Sequence, residues 1–335
     1  MADPSTVEKG GAGFEGIRLL LCENPLPPID EAIAAARDAL PASNHYTEAY
    51  SAPLRSLLSD RLGVPESHLH VNAGSELILR QLFDRLGRRV HLLTPTYPLF
   101  PEIAEEYTET HLRPEADFAF DLATLSVPPE TSLVVIVNPN NPNGGTFDLD
   151  PLPALLERHP ETSFLVDEAF VDFAAESAVR FVPTYDNLLV TRTLSKAHSL
   201  AGFRVGYAVG PEALVADLNT NNDAYPLARP SQAAALATLR NHSKIDDRVA
   251  RLRSWTTALA ADLEALGVRT FPTETYFFLA DFSPRRADDV AAHLRERGIF
   301  VKPLEDDRLG PGYMRLTTAR PADNDRVVDA LADVL

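Results

Sequence analysis

Apolar runs rich in valine, isoleucine and leucine alternate along much of the chain with segments of helical period, and this alternation constrains the fold most strongly. The runs that predict strands are His68–Val71, Val90–Thr94, Leu133–Asn138, Phe164–Asp167, Leu188–Arg192 and Phe203–Val209. Strands that are apolar at nearly every position are typical of parallel sheets, because helices cover both of their faces. The pattern therefore predicts the α/β class, with a large domain built on a mostly parallel central sheet.

Helical periodicity fills the intervals between these runs and continues towards the C-terminus. The predicted helices include Ser75–Leu86, Leu152–Arg158, Ser231–Arg240 and Asp246–Leu266. Residues 268–335 read strand, helix, strand, strand, helix, which is typical of a small α+β domain. The predicted division is an N-terminal segment that joins the small domain, a large domain and a small C-terminal domain, at residues 1–45, 46–240 and 241–335.

The charge balance argues against several classes of partner. With 31 basic and 48 acidic residues, the formal net charge of −17 repels nucleic acid phosphates and anionic lipid surfaces. No apolar stretch approaches the roughly twenty residues that a membrane-spanning helix needs. The single cysteine, Cys22, can form neither an internal disulfide nor a metal site with other thiolates. We therefore expect a cytoplasmic protein without nucleic acid, membrane or metal among its partners.

Lysine is rare in this chain, so a lysine in an unusual setting is informative. The lysines are Lys9, Lys196, Lys244 and Lys302. Lys196 directly follows a predicted strand and lies among small and hydroxyl-bearing residues, in TRTLSKAHSLAGFRVG. An isolated Ser-Lys pair would usually be a surface feature at a strand end. Here Asp167 also ends a predicted strand, Asn141 lies in the turn-forming run NPNNPNG, and Arg204 follows the lysine by eight residues.

In their order and spacing, these parts resemble the fold-type I aminotransferases that depend on pyridoxal 5′-phosphate (PLP), specifically the histidinol-phosphate aminotransferase branch. The resemblance covers nearly the whole chain, and its strongest elements are Thr193 to Lys196, Ala201 to Arg204, Val166 to Ala169 and Asn138 to Gly144. Together these elements are more specific than any one short match. The resemblance implies the fold type I architecture, PLP as the cofactor and a homodimer.

The resemblance assigns four residues to the cofactor ring. Lys196 would carry PLP as a Schiff base and then move a proton between the substrate α-carbon and C4′ of the cofactor. Asp167 would face the ring nitrogen, where a carboxylate favours the protonated ring that accepts electrons. Tyr97 would stack on the ring, and Asn141 would bond its phenolic oxygen.

The cofactor phosphate is expected at the start of a helix. Ala73, Gly74 and Ser75 lie between a predicted strand and a predicted helix, where main-chain N–H groups attract an anion. By resemblance, the phosphate shell also contains Thr193, Ser195 and Arg204. Tyr46 matches a tyrosine that reaches the phosphate of the neighbouring subunit, which implies a homodimer with shared active sites.

Three further residues are assigned to the substrate. Arg315 resembles the arginine that forms a bidentate pair with the substrate α-carboxylate. A carboxylate held near the ring plane leaves the C–H bond perpendicular to the ring, which favours transamination. Lys302 replaces an arginine that holds the distal phosphate in the family, and Asn24 belongs to the N-terminal side of the same substrate site.

Two further positions depart from the aminotransferase pattern. Phe170 stands where the family usually has a tyrosine, and both Phe170 and Leu26 are similar to the threonine-phosphate decarboxylases. We expect amino-group transfer between an amino acid or amino alcohol phosphate, such as histidinol phosphate, and a 2-oxo acid. The alternatives are a PLP-dependent decarboxylase and an aromatic amino acid aminotransferase. A cofactor-sensing regulator would need a DNA-binding extension, which the acidic sequence does not offer.

Overall fold

A computed structural model describes residues 16–304 and 306–335 of the chain. The strands are β1 (Ile17–Arg18), β2 (Leu69–Asn72), β3 (Arg89–Thr94), β4 (Glu106–His111), β5 (Leu133–Val137), β6 (Ser163–Asp167), β7 (Leu188–Thr193), β8 (Gly206–Val209), β9 (Arg269–Thr270), β10 (Phe277–Asp281), β11 (Ile299–Phe300), β12 (Lys302–Pro303) and β13 (Tyr313–Thr317). The helices are α1 (Asp30–Ala39), α2 (Ala52–Leu62), α3 (Ser75–Leu86), α4 (Leu99–Ile103), α5 (Leu152–Arg158), α6 (Glu212–Thr220), α7 (Arg229–Arg240), α8 (His242–Ala265), α9 (Ala287–Glu296) and α10 (Pro321–Ala332).

The large sheet has seven strands in the order β2-β8-β7-β6-β5-β3-β4. The strands from β7 to β4 are parallel, whereas β8 is antiparallel to both of its neighbours. Strand β5 shows why the run was so apolar: Leu133 and Val135 pack into one core, and Val134 and Ile136 pack into the other. The predicted α/β class with a mostly parallel sheet is confirmed.

Most of the predicted strands agree with the structure to within one residue at either end. The exception is β8, which begins at Gly206 because Ala201–Phe203 forms a short 3₁₀ turn and Arg204 has a left-handed backbone, with φ of 52°. Strand β4 was not predicted. Its sequence, EYTETH, is polar and largely exposed at the sheet edge, so it lacks the apolar run on which the predictions relied.

A second, antiparallel sheet lies in the C-terminal part, in the order β12-β13-β10-β9. Strand β1 pairs with β11, so the N-terminal segment joins this part of the molecule. Helix α8 spans both cores: Ile245 and Leu252 pack against the large domain, and Leu259 and Leu263 pack against the small sheet. Among residues 16–304 and 306–335, no helix is long and apolar enough to cross a bilayer. The domain boundaries at residues 45 and 240 remain a prediction.

A buried ion pair joins the ends of two central strands. Glu168 follows β6 and is only 1% exposed, and its carboxylate lies 2.8 Å from the guanidinium of Arg192 in β7. The same carboxylate accepts hydrogen bonds from the Ser177 hydroxyl and from the main-chain N–H of Ala178. Burial raises the pKa of Glu168, and the charge of Arg192 opposes that rise. The pair therefore allows a carboxylate to remain ionised in the interior.

Replacing Arg192 by methionine should destabilise the protein strongly, because the Glu168 carboxylate would stay buried without its cation. We expect the free energy of unfolding in urea to fall by about 3–5 kcal/mol. Arg180→Met is the control, since Arg180 is exposed and its pairs with Asp150 and Glu176 lie at the surface. That variant should lose no more than about 1 kcal/mol. Similar losses in the two variants would show that breaking the buried Glu168 pair destabilises the protein no more than breaking surface ion pairs.

Candidate active site

The carboxyl ends of the parallel strands deliver four of the candidate residues. These are Tyr97 after β3, Asn141 after β5, Asp167 at the end of β6 and Lys196 after β7. Carboxyl ends of parallel strands lie along one edge of an open sheet, and this edge is where ligands bind in such folds. The topology therefore brings together residues that are far apart in the sequence.

The antiparallel strand β8 brings the phosphate residues to the same edge. Its first residue, Gly206, pairs with Thr193 of β7 on one side and with Asn72 of β2 on the other. The turn of Ala73 to Ser75 follows Asn72 directly, and Arg204 lies two residues before β8 begins. The predicted phosphate shell and the predicted lysine thus share one end of the sheet.

The amine of Lys196 is held by the N-terminal segment of the chain. Nζ donates a hydrogen bond to the Leu21 carbonyl oxygen at 2.9 Å and lies 3.4 Å from the Cys22 carbonyl oxygen. The centroid of the Phe170 ring is 5.4 Å from Nζ. Burial lowers the pKa of Lys196, and the positive charge of Arg315 lowers it further. A lower pKa increases the neutral amine, which is the form that attacks a carbonyl carbon.

Asp167 is a buried carboxyl group, 4% exposed, whose partners are neutral. Its Oδ1 accepts a hydrogen bond from the Thr191 hydroxyl at 3.1 Å, and the main-chain N–H of Ala169 donates another. Burial raises the pKa of Asp167 to about 6, although both hydrogen bonds oppose the rise. A positive charge placed beside this carboxyl would lower its pKa again and favour the ionised form. The position therefore suits a cationic ligand group.

Gly74 makes room for an arginine at the start of α3. The backbone of Gly74 has φ of +90°, and a Cβ atom there would lie 2.9 Å from Cζ of Arg204. Any side chain at this position would therefore push the guanidinium away from the helix. The first-turn N–H groups of a helix lack partners within the helix, and they attract anions together with a neighbouring cation. The arrangement is a suitable site for a phosphate.

The main-chain N–H groups of Ala73 and Gly74, two residues of the predicted phosphate cradle, are engaged within the turn that precedes α3. Ala73 N–H donates to the side-chain oxygen of Asn72, and Gly74 N–H donates to the main-chain oxygen of Asn72, each at 2.8 Å. Both groups are needed to form the turn. The donors that remain for an anion begin at Ser75, the first residue of α3.

Two buried hydroxyl groups lie on the loop that leads to the lysine. The Thr193 hydroxyl donates to Ser195 Oγ at 2.9 Å and accepts from the Ser195 N–H at 3.1 Å. This local pairing fixes the direction of both side chains, because each hydroxyl is tied to the other residue. The loop therefore presents its hydroxyl groups at a defined place beside Lys196.

Arg315 carries a buried donor without a partner. The side chain is 8% exposed, its Nη1 donates to Asn141 Oδ1 at 2.8 Å, and its Nη2 donates to the Leu20 carbonyl oxygen. Among the residues that the structure describes, its Nε has no hydrogen-bond partner. A buried donor left unpaired is unfavourable, and a carboxylate or phosphate would satisfy it. Lys302 lies directly opposite Arg315 in the β12–β13 pairing, so a second cation stands on the neighbouring strand.

Tyr97 is half-buried between the central sheet and α3, and its ring meets Phe100 edge-on at 5.7 Å. Burial raises the pKa of Tyr97 to about 12, and the negative charges of Glu76 and Asp167 add to the rise. The phenol is therefore neutral over the whole physiological range. A neutral aromatic ring beside Asp167 is suited to stacking rather than to proton transfer.

Asn24 was predicted to bind substrate, but its side-chain amide is already engaged by the protein. Its Nδ2 donates to the carbonyl oxygens of Lys196 and Ala197, at 3.0 and 3.2 Å, and its Oδ1 accepts from the N–H of Leu26. The geometry indicates that Asn24 braces the lysine loop against the N-terminal segment. Its assignment to the substrate remains a prediction.

Tyr46 is a candidate that lies at the protein surface. Its side chain is 78% exposed and stacks on Tyr225, with the ring centroids 4.6 Å apart. The guanidinium of Arg229 donates to the main-chain oxygens of His45 and Tyr46. Within the described chain, the ring contact of Tyr46 is thus with another surface aromatic and not with the lysine site.

Comparison with known proteins agrees with this arrangement. The model of the family described as aminotransferase class I and II matches residues 17–331. The chain belongs to this family. Histidinol-phosphate aminotransferase 2 of Gluconobacter oxydans is 33% identical to it over 330 residues, which cover 95% of this chain and 92% of the relative. The family assignment makes the chain a PLP-dependent aminotransferase.

Two solved structures show the extent of the shared fold. Histidinol-phosphate aminotransferase from Sinorhizobium meliloti, in complex with pyridoxal-5′-phosphate, has a TM-score of 0.90 at 22% identity and covers 100% of this chain and 94% of its own. L-threonine-O-3-phosphate decarboxylase from Porphyromonas gingivalis has a TM-score of 0.84 at 22% identity, with 95% and 99% covered. One fold therefore accommodates both reactions, so the residues of the site must decide which reaction takes place.

The side chains of this aminotransferase fit PLP in three respects. Asp167 offers a buried carboxyl group whose described partners are neutral, as a protonated ring nitrogen requires. The start of α3 and Arg204 together suit a phosphate. Lys196 offers an amine whose pKa burial has lowered. The charges of the cofactor therefore complement groups that the protein leaves incompletely paired.

Several residues that hold the aminotransferase site together were not identified from the sequence. Thr191 bonds Asp167, and the hydroxyl of Tyr276 donates to the Cys22 carbonyl oxygen that also lies near Lys196. The carbonyl group of Leu21 that holds Lys196 is 175 residues away along the chain. Main-chain acceptors carry no residue-type signal, so only the fold could reveal these contacts.

His198, two residues after the lysine, is a buried imidazole at 4% exposure. Its Nδ1 lies 3.5 Å from a carboxylate oxygen of Asp172, and its ring is parallel to that of His242 with the centroids 6.4 Å apart. Burial lowers the pKa of His198; the charge of Asp172 opposes this, whereas His242, Arg61 and Arg192 add to it. The imidazole is therefore neutral in the folded protein near pH 7.

His198→Gln should make the protein less sensitive to acid. The unfolded chain binds a proton at His198 near the ordinary pKa of 6.5, and the folded chain does so only at lower pH. The stability linked to neutral His198 is thus present above that pH and is lost as the pH falls below it. Between about pH 7.5 and about pH 5.5, the free energy of unfolding should fall less in the variant than in the native protein.

The control is His45→Gln, because His45 is exposed. Urea denaturation of the three proteins at each pH gives the comparison. If the His198 variant and the native protein show the same dependence on pH, then burial of this imidazole has no thermodynamic effect.

Proposed function

We propose that this chain moves an amino group between a donor with an anionic group away from the reacting carbon, such as histidinol phosphate, and a 2-oxo acid. One observation carries the proposal. The carbonyl groups of Leu20 and Leu21, which are consecutive, accept hydrogen bonds from Arg315 and Lys196 respectively. This shared anchor holds an amine and a guanidinium side by side, as the nitrogen and the α-carboxylate of an amino acid require.

When bound, PLP supplies the electron sink that makes the hydrogen on the reacting carbon acidic. Lys196 would remove that proton at Nζ and return it, because its lowered pKa leaves the neutral amine available. Asp167 would hold the proton of the ring nitrogen, since its carboxyl becomes ionised when a cation lies beside it. Tyr97, neutral because its pKa is raised to about 12, would confine the ring without exchanging protons.

Arg315 would decide which bond breaks. Its guanidinium is fixed by Asn141, by the Leu20 carbonyl oxygen and by the Phe277 ring, whose centroid is 5.7 Å from Cζ. A carboxylate bound to a guanidinium this rigid cannot turn freely, so the C–H bond is the one presented to Lys196. Amino transfer then competes successfully with loss of carbon dioxide.

Phe170 supports decarboxylation as a second candidate function. It is buried, its ring lies near the amine of Lys196, and it offers no hydroxyl group at this place. The phenolic oxygen of bound PLP would then receive a hydrogen bond from Asn141 and none from residue 170. The amide oxygen of Asn141 is already bonded to Arg315. A donor assay can separate the two candidate reactions directly.

We also propose a cytoplasmic homodimer in which each active site contains residues of both subunits. Tyr46 and Tyr225 form an exposed stacked pair, and a neighbouring subunit would cover this aromatic surface. The hydroxyl of Tyr46 would then reach the phosphate bound in the partner. The only cysteine, Cys22, is buried and unpaired, in keeping with a reducing compartment.

The purified protein with added PLP should form glutamate from 2-oxoglutarate when histidinol phosphate is the donor. The measurements are glutamate formed and carbon dioxide released, with histidinol phosphate, threonine phosphate and phenylalanine as parallel donors. Release of carbon dioxide from threonine phosphate without any need for a 2-oxo acid would support the decarboxylase instead. Phenylalanine as the best donor would overturn the anionic-donor part of the proposal and support an aromatic aminotransferase.

Mixing two inactive variants should restore activity if the sites are shared. Lys196→Ala lacks the amine, and Tyr46→Ala should bind PLP weakly and be nearly inactive at limiting PLP. After the subunits exchange, a hybrid dimer would have one site with both residues intact, or about one site in four at random assortment. Activity no greater than the sum of the separate variants would contradict shared sites. Sedimentation of each variant confirms that dimers are present.

A further inference from the structure

A cavity of about 370 Å³ adjoins the lysine loop on the side of the N-terminal segment. One wall is residues 23–28, and the other runs from Ser195 to Gly202. Two lining residues connect the cavity to the site already described. Ser195 is a predicted phosphate contact, and Asn24 bonds the main-chain oxygen of Lys196. The cavity therefore borders the loop that carries Lys196.

Arg320 lines this cavity from the C-terminal part of the chain. It lies five residues after Arg315 and directly precedes α10. Buried Asn324 holds the intervening turn rigidly: its Oδ1 accepts from the N–H of Ala319 at 2.7 Å, and its Nδ2 donates to the Thr318 hydroxyl at 3.0 Å. The main chain of Arg320 is therefore fixed relative to Arg315.

The guanidinium of Arg320 is tethered at one nitrogen only. Nε donates to the Pro25 carbonyl oxygen at 3.1 Å. Over residues 16–304 and 306–335, the guanidinium has no other hydrogen bond and no ion pair, although acidic residues outnumber basic residues in this chain. The tether directs the side chain, and the two terminal nitrogens stay available. Such a pair of donors matches a carboxylate or a phosphate.

We propose that Arg320 determines specificity by binding the anionic group of the amino substrate in this cavity. The inference rests on the proposed function and adds a residue to it. Lys302 offers a point charge from β12 and is already engaged in a contact within the protein, whereas Arg320 offers a planar fork. Leu26 also lines the cavity and adds apolar surface to its wall.

Glu23 also lines the cavity and would repel an anion. Its carboxylate lies 2.6 Å from the guanidinium of Arg18, so its charge is largely compensated within the protein. The electrostatic balance inside the cavity is then set by Arg320. An amino donor with an apolar side chain would gain little from Arg320, because that side chain cannot accept hydrogen bonds from the terminal nitrogens.

The test uses the holoenzyme and compares Arg320→Leu with Arg326→Leu. Arg326 is the matched control, since it is an exposed arginine on α10 whose ion-pair partner is Asp323 on the same helix. The donors are histidinol phosphate, glutamate and the neutral leucine. In Arg320→Leu, kcat/KM for the anionic donors should fall about ten- to a hundredfold relative to leucine, mainly through KM. Arg320→Lys should lose less, because it keeps the charge but not the fork.

Inorganic phosphate provides a readout that does not need turnover. It should bind to the native holoenzyme and change the absorbance of the bound cofactor, and the half-saturating concentration should rise in Arg320→Leu but not in Arg326→Leu. Loss confined to histidinol phosphate would identify the cavity as a phosphate subsite. Loss confined to glutamate would identify it as a subsite for a side-chain carboxylate. Either result supports the inference.

Three results would overturn it. If Arg320→Leu matches Arg326→Leu while Lys302→Ala loses the anionic donors, the proposed function stands and Arg320 has no part in specificity. If Arg320→Leu loses all donors equally and its melting temperature falls, the residue acts only through its contact with Pro25. If leucine is the best donor of the native protein and neither variant matters, then the anionic-donor part of the proposed function is itself wrong.

Discussion

The site depends on three successive carbonyl groups of the N-terminal segment. Those of Leu20, Leu21 and Cys22 accept hydrogen bonds from Arg315, Lys196 and Tyr276 respectively. The left-handed backbone of Cys22, with φ of 49°, turns the chain so that neighbouring carbonyls can face different donors. Two of the donors belong to the small-sheet region and one to the loop after β7. A short piece of backbone thus ties two sheets into one site. The spacing of the amine and the guanidinium is consequently set by main-chain geometry, which side-chain substitutions at Leu20 or Leu21 would not alter.

The large sheet could be predicted because its strands are buried on both faces. Every residue of β5 is apolar and packs into one of the two cores, so the run itself identifies the strand. The positions of Asp167 and Lys196 followed from the strand ends and from the resemblance. Strand β4 could not be predicted because it is polar at an edge. The hydrogen bonds that Asn24 and Asn72 make within the protein could not be predicted for another reason. An amide side chain can bind a ligand or the protein equally well, and only the fold shows which acceptor is near.

Adjacent carboxyl groups at the end of β6 illustrate how the protein separates structure from function. Glu168 and Asp167 are both buried, and burial raises the pKa of each. The chain supplies Arg192 to Glu168, whereas Asp167 receives hydrogen bonds from a hydroxyl and a main-chain N–H. An ion pair whose two partners both belong to the protein helps to specify how the interior packs. A carboxyl group left without a cation stores an unfavourable interaction that a cationic ligand can relieve. The difference between these adjacent residues supports the proposal that Asp167, rather than Glu168, faces the cofactor.

The cations around the proposed substrate cavity must act at short range. The chain carries a formal charge of −17, so an anionic substrate is repelled rather than attracted at a distance. Recognition then depends on donors that are already in place when the substrate arrives. Arg315 is fixed by Asn141 and the Leu20 carbonyl oxygen, and Arg320 is fixed by Pro25 and by the turn that Asn324 holds. Rigid donors lose little side-chain entropy on binding, which makes each contact more effective.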